Sequence, residues 1–84
     1  RIESGAARVE LAPVEVRGLA DEVVAASAAA AERNGDTIRL RCDVGLPRLV
    51  TDRAKLRQIL LGLLDNACKF TRGGVVRLAV RSEL

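Results

Sequence analysis

The chain has 84 residues, 49% of them hydrophobic and 30% charged, with 14 Lys and Arg against 11 Asp and Glu and a formal net charge of +3. It holds no histidine, one aromatic residue and two cysteines, which excludes a Ser/His or Cys/His catalytic pair and any imidazole metal ligand of its own. No apolar run approaches the roughly 18 residues of a membrane-spanning helix, and Arg1-Ile2-Glu3-Ser4 lacks an apolar signal region, so a small, soluble, untargeted domain is expected.

The basic residues form no dense block, and Phe70 is the sole aromatic. Stacking platforms for single-stranded nucleic acid are therefore absent, and no nucleic-acid partner is expected. Cys42 and Cys68 are far apart and form no C-x-x-C pair. They are expected to be reduced and to fill space as small apolar side chains.

In chain order, Ile2 ahead of Ser4-Gly5 suggests a helix that ends there with Gly5 just past its last turn. The chain then becomes extended around Val9 to Leu11. The string VEVRGLADEVVAASAAAAERNG predicts a helix with Leu19, Val23, Ala26 and Ala30 recurring at helical spacing. Asp21 and Glu22 sit early and Arg33 late, as the helix dipole favours, and Asn34-Gly35 is a stop signal. The run Ala28 to Ala31 gives this helix a slim surface.

TIRLRCDV follows, with Ile38, Leu40, Cys42 and Val44 on one face and Thr37, Arg39, Arg41 and Asp43 on the other, the pattern of a half-buried strand. Gly45-Leu46-Pro47 turns into a short extended segment, Arg48-Leu49-Val50. Thr51 or Asp52 then caps a long helix that runs to about Phe70. After a Gly73-Gly74 turn, GVVRLAVR predicts a last strand with Val76, Leu78 and Val80 inward and Val75, Arg77 and Ala79 outward. The order strand, helix, strand, short strand, helix, strand implies an α/β two-layer sandwich, its helices packed on one face of a mixed sheet.

The second helix carries the chemistry. At 100° per residue, Ile59, Phe70, Leu63, Leu56, Ala67, Leu60 and Leu64 fall in one broad sector wide enough to be a core face. Lys55, Gly62, Lys69, Gln58 and Asp65 fall in another, and Asn66 lies on the seam. An Asn at the edge of an apolar face adds nothing to helix propensity or packing. A mid-helix Gly costs about 1 kcal/mol relative to Ala and asks for a reason, such as close approach of backbone or ligand. Gly62, Asn66 and Lys69, at i, i+4 and i+7, set a hollow, a neutral oxygen and a cation in line. That set suits a metal-bound phosphate, because Mg²⁺ takes hard oxygen ligands and a Lys meets phosphate as a point charge. Ordinary readings stand beside it: Lys69 complements the helix C-terminus, Asn66 caps a neighbouring loop, and Gln58 and Asp65 are solvated.

LRQILLGLLDNACKFT resembles the N box of bacterial sensor histidine kinases, whose usual form is LRQxLxNLLxNAxKFT, in the ATP-binding domain shared with type II topoisomerase, Hsp90 and MutL ATPases. RIESGAARVELAPVEV looks like the exit from the dimerisation hairpin of such kinases into their first strand, and LPRLVTDRAKLRQ like the lead into the N box. The resemblance covers the whole chain. It implies residues 1–8 as the end of the dimerisation and phosphoacceptor helix with its linker, and 9–84 as the N-terminal half of the catalytic ATP-binding domain, with the N box at about 56–71.

It also implies ATP and Mg²⁺ as cofactors. The second N-box Asn, which coordinates the Mg²⁺ bridging the nucleotide phosphates, falls on Asn66; the phosphate-contacting Lys falls on Lys69; the aromatic beside the adenine falls on Phe70. The first N-box Asn is replaced by Gly62, whose side chain has no oxygen, so no residue here is assigned as catalytic. The D-x-G-x-G box, the F box and the second Gly-rich box do not occur in these residues, nor does a phosphoacceptor His.

The expected parent is thus a two-component kinase on the cytoplasmic side, soluble or membrane-anchored, that autophosphorylates a histidine and passes the phosphoryl group to a response-regulator aspartate. Its expected partners are ATP, the phosphoacceptor helix within a homodimer, and the receiver domain. The 84 residues alone are expected to be inactive and prone to self-association through unpaired strand edges. Two alternatives stay open: a degenerate kinase-like scaffold or regulatory module, favoured by Gly62, and an anti-sigma-factor serine kinase, disfavoured by the RIESG exit segment.

Overall fold

In the computed structural model, which describes residues 9–82, the elements follow one another as β1 (Ala12–Val14), α1 (Val16–Arg33), β2 (Thr37–Cys42), β3 (Leu49–Thr51), α2 (Arg53–Phe70) and β4 (Val75–Val80). The expected alternation of strand and helix is present element for element. The helix expected to end at Ser4-Gly5, and with it the assignment of residues 1–8, lies outside the described residues.

The strands form two ladders. β2 and β4 run parallel, pairing Thr37 with Val75 through Cys42 with Val80, and β1 and β3 run antiparallel, pairing Ala12 with Thr51 through Val14 with Leu49. Parallel neighbours need a long crossover, and α2 supplies most of it. The strong alternation of β2 and β4 has its structural counterpart: Ile38, Leu40, Cys42, Val76, Leu78 and Val80 are buried or half-buried, while Thr37, Arg39, Arg41, Val75, Arg77 and Ala79 are exposed. Both helices therefore lie on one face of this pair, in a two-layer α/β arrangement.

The core joins Val14, Leu19, Val23, Ala31, Leu64, Cys68 and Val76, with Val24, Ile38, Leu56, Leu60, Leu61, Ala67 and Leu78 packed around it. In α1 the buried stripe is Leu19, Ala20, Val23, Ser27 and Ala31. Ala26 is exposed and Ala30 only half-buried, one position off the expected set. A run of alanines presents the same bulk in every direction, so it cannot signal which of its members faces inward. Small residues at 27 and 31 let α1 and α2 approach closely.

Three further expectations are corrected. Residues 9–11 do not form the first strand; it begins at Ala12, and Val9 and Leu11 are exposed. Val44 does not extend the apolar face of β2: the strand ends at Cys42, the Gly45 turn follows with φ +74°, and Val44 is fully exposed. Asp21 and Glu22, expected to sit early where the helix dipole favours them, fall in the second turn of α1, which starts at Val16 and has no acidic residue in its first turn.

Candidate functional site

Helix α2 is fastened at both ends. At its start Asp52 is the N-cap: one carboxylate oxygen accepts the Lys55 N–H at 3.1 Å and the other accepts the Glu10 N–H at 2.9 Å. The first turn of a helix has unpartnered N–H groups, and a carboxylate there satisfies one and complements the dipole. These bonds, led by the one from Glu10, hold the Asp52 carboxyl below its ordinary range. The same side chain thus ties the segment before β1 to α2.

At the far end, the Asn34 amide donates to the Cys68 main-chain carbonyl at 2.7 Å, satisfying one of the carbonyls that a helix C-terminus leaves open. The Gly73 N–H donates to Asn34 O at 2.9 Å, and the Gly74 N–H to Asp36 Oδ1 at 2.9 Å. Gly35 and Gly73 both have positive φ, +69° and +64°, and a Cβ on Gly35 would stand 3.7 Å from the Gly73 Cα. Two tight turns therefore abut beneath the end of α2. Asp36 is buried, and its Oδ2 has no hydrogen-bond partner among the described residues. Burial, with Asp36 and Asp65 adding to it, pushes the Cys68 thiol up. Cys68 and Cys42 are both free thiols, as composition suggested.

Along its length α2 is held to α1 by Glu22, which accepts from Arg53 at 3.0 Å and from Arg57. The two guanidinium groups, Arg53 foremost, lower the Glu22 carboxyl. The sequence offered Glu22 only as a helix-dipole residue, and nothing in its neighbours in the chain signals a partner 31 and 35 positions away.

Between these fixings, α2 presents three faces. Leu64 and Cys68 are fully buried, flanked by Leu56, Leu60, Leu61 and Ala67. The side toward α1 opens into a shallow groove of about 330 Å³ lined by Ala26, Ser27 and Ala30 of α1 and by Leu61, Gly62 and Asp65 of α2. Beside it a second groove, about 390 Å³, is lined by Arg33, Asn34, Asp65, Lys69 and Arg72. The third face carries Ile59, Leu63 and Phe70, exposed by 60%, 56% and 82%. These three were expected in the core. The apolar arc of α2 is wider than α1 and a two-stranded ladder can cover, so its outer edge stays open.

The expected site residues are thus distributed around one end of α2. Lys69 lines the basic groove, Gly62 lines the adjoining one, and Phe70 stands on the open apolar face. Asn66 is exposed and lines neither groove; it sits one turn from Gly62 and Phe70 and three residues from Lys69, neighbours on a helix surface. A Cβ on Gly62 would meet no heavy atom within 4 Å. The close approach that a mid-helix glycine suggested is therefore not made by any described residue.

Among the described residues no group of three or more His, Cys, Asp or Glu could hold a metal ion. A bare structural cation is thus poorly served. The donor set fits a Mg²⁺ that keeps waters and takes phosphate oxygens, because such an ion needs few protein ligands, and the exposed Asn66 amide oxygen is available as one. Gly62 contributes none. The Lys69 ammonium and the Phe70 ring are exposed on either side of Asn66.

No protein-family model matches the chain. Among curated proteins, the probable histidine kinase 3 of Oryza sativa subsp. japonica is 30% identical over 81 residues, 95% of this chain and 8% of that protein. The aerobic respiration control sensor protein ArcB of Escherichia coli K12 is 33% identical over 84 residues, 99% of this chain and 11% of that protein. The cell-division control histidine kinase PdhS of Brucella abortus is 33% identical over 85 residues, 100% of this chain and 8% of that protein. The chain therefore spans about a tenth of the length of the relatives it matches. In fold it is similar to Acinetobacter baumannii histidine kinase AdeS, with a TM-score of 0.78 at 17% identity over 90% of this chain and 38% of that one. It is likewise similar to the cytoplasmic segment of histidine kinase QseC, with a TM-score of 0.81 at 20% identity over 95% of this chain and 54% of that one.

Proposed function

We propose that this chain, whose homologues over nearly its full length are histidine kinases, carries the N box of a kinase ATP-binding domain. In the complete protein it would serve transfer of a phosphoryl group from Mg·ATP to a histidine and then to a response-regulator aspartate. The observation that supports this reading most is the exposure of Asn66 on a helix fastened at both ends, between the cationic Lys69 and the open face of Phe70.

In this reading the Asn66 amide oxygen would hold Mg²⁺, the Lys69 ammonium would meet phosphate oxygens, and the Phe70 ring would offer an apolar surface to the adenine. Bound Mg·ATP supplies the phosphoryl group and the charge that neutralises it. The chain's own part is placement: phosphoryl transfer depends chiefly on positioning and electrostatic stabilisation, and the Asp52 and Asn34 bonds keep α2 from rotating or fraying. The D-x-G-x-G aspartate and the Gly-rich boxes would come from other residues of the parent, with the phosphoacceptor helix and receiver domain as partners and the cytoplasm as location. Among the described residues no helix is long and apolar enough to cross a membrane.

The test is titration of a fluorescent ATP analogue with Mg²⁺ into this chain and into a longer chain reaching the end of the parental domain, each with and without Asn66→Asp. Binding by the longer chain that Asn66→Asp weakens, with little binding by the 84 residues, is expected. Equal binding by the Asn66→Asp variant would overturn the assignment of Asn66.

Gly62 favours a second reading, a degenerate kinase-like scaffold, since an N-box helix without its first Asn lacks one oxygen. Absence of nucleotide binding by the longer chain would select it.

A further inference from the structure

Asp52 is buried, and its two oxygens have different tasks. Oδ1 accepts the Lys55 N–H at 3.1 Å in the first turn of α2, and Oδ2 accepts the Glu10 N–H at 2.9 Å from the segment ahead of β1. A cap alone asks for one acceptor, which Ser, Thr or Asn supplies as well as Asp does. Of these side chains only the carboxylate offers two acceptor oxygens and no donor, and here both oxygens are taken.

The β1–β3 register shows why Glu10 comes to Asp52. Continued by two residues beyond Ala12 and Thr51, it sets Glu10 opposite Arg53, where the chain has already entered α2 and its main-chain carbonyl points along the helix. The ladder has no acceptor left at that point, and the Asp52 side chain stands in for it. The same stretch is otherwise lightly held. Residues 9–13 are all exposed, Pro13 has no N–H to give the ladder, and the first buried side chain is Val14. Val9 to Pro13 thus forms a strap, pinned at its outer end by Asp52 and at its inner end by Val14.

We infer that this strap governs the start of α2. Chain drawn away ahead of Val9 peels the strap from its outer end, so the Glu10 N–H leaves Asp52 first. In the seated state Asp52 is held by donors on both sides and α2 is closed from its first turn. In the released state Oδ2 turns to water, the side chain regains its rotamer freedom, and the cap on Lys55 loosens. The device converts a displacement of the preceding chain into fraying of the helix that carries Asn66 and Lys69. That consequence for the site rests on the nucleotide reading above, whereas the coupling of Glu10 to Lys55 does not.

Amide hydrogen exchange of the 84-residue chain, without nucleotide, reads the coupling. Glu10→Pro removes the N–H and leaves Asp52 and Lys55 in place, while Glu10→Ala removes only the exposed side chain. Exchange of the Lys55 amide about fivefold faster in Glu10→Pro is expected, with no change in Glu10→Ala or in the last turn of α2. Asp52→Ser, a milder change, keeps one cap acceptor without the second. It is expected to speed both the Glu10 and the Lys55 amides, and Glu10→Pro added to it is expected to have no further effect on Lys55. Circular dichroism checks that each variant folds, and Asp52→Ser decides alone if Glu10→Pro does not. A Lys55 amide as slow as in the parent, or acceleration spread evenly along α2, would overturn the inference. In the longer chain, Glu10→Pro is expected to bind the fluorescent ATP analogue with Mg²⁺ more weakly than Glu10→Ala does, and equal binding would overturn the link to the site. No binding by the unaltered longer chain would overturn the nucleotide reading, and the exchange result would then decide this inference by itself.

Discussion

Asn34 reaches from the end of α1 to the Cys68 carbonyl in the last turn of α2, 2.7 Å away, so the C-termini of the two helices are joined by one amide. The same residue's carbonyl accepts from Gly73. Asn34 therefore couples the end of α1 to two points of the chain, Cys68 and Gly73, that lie more than thirty residues on. Asn34→Ala is expected to cost about 1 kcal/mol, the net worth of a typical hydrogen bond, or more where the Cys68 carbonyl stays dry. Urea unfolding with an unchanged m-value checks it.

Leu64 and Leu63 are adjacent in sequence but unlike in the fold, 2% and 56% exposed. Leu64→Ala is expected to lose about 2–5 kcal/mol. Leu63→Ala and Ile59→Ala are expected to stay within about 0.5 kcal/mol, as surface changes do. Chemical denaturation of the three variants would show the contrast, and a large loss at Ile59 would contradict the open face of α2.

With open space before its Cα, Gly62 is expected to accept Ala with a gain of about 0.5–1 kcal/mol, the helix propensity difference. Thermal unfolding reads this. Gly62→Asn places an amide one turn from Asn66, and in the longer chain it is expected to tighten Mg·ATP binding. Stabilisation by Ala without tighter binding by Asn would leave Gly62 a propensity defect only.

Acid is expected to loosen α2 at its start. The Asp52 carboxyl is lowered by the Glu10 and Lys55 N–H groups, and that of Glu22 by Arg53 and Arg57. A carboxyl lowered in the folded state contributes stability that is present above its unfolded pKa, near 4, and is lost as pH falls through the lower folded value. Asp52→Asn keeps a good N-cap residue but removes the titration. Its stability is expected to be lower at neutral pH, because one amide oxygen cannot accept from both the Glu10 and Lys55 N–H groups, and to fall less steeply below about pH 4 than that of the parent. Unfolding midpoints measured across that range check the sign.

The strands were readable because alternation of β-branched or apolar residues with arginine has one structural solution, and Ile38, Leu40, Val76 and Leu78 face where that pattern directs them. The limits of α2 were readable for a similar reason, as Asp52 and the Gly73-Gly74 turn are local signals. What failed was rotation about the helix axis. Apolar residues from Ile59 round to Leu61 cover more of α2 than its neighbours bury, and sequence alone does not say which part of an overlong arc is inside. The Asn34, Asp36 and Glu22 contacts span more than thirty residues, so no short window contains both partners. Of the candidate site, the residue types were legible, but their division between a basic groove and an open apolar face needed the packing of α1.

The parallel pairing of β2 with β4 also bears on how the chain folds. Thr37 must find Val75, and the loop so closed contains β3 and the whole of α2. Its entropy is lost before most of the ladder contacts form. Either helix can flicker into shape early, but neither has this ladder to rest on until β2 and β4 have met. Refolding should therefore be slower than that of a helical hairpin of the same length, and a chain released from synthesis before β4 would hold its α2 without a floor.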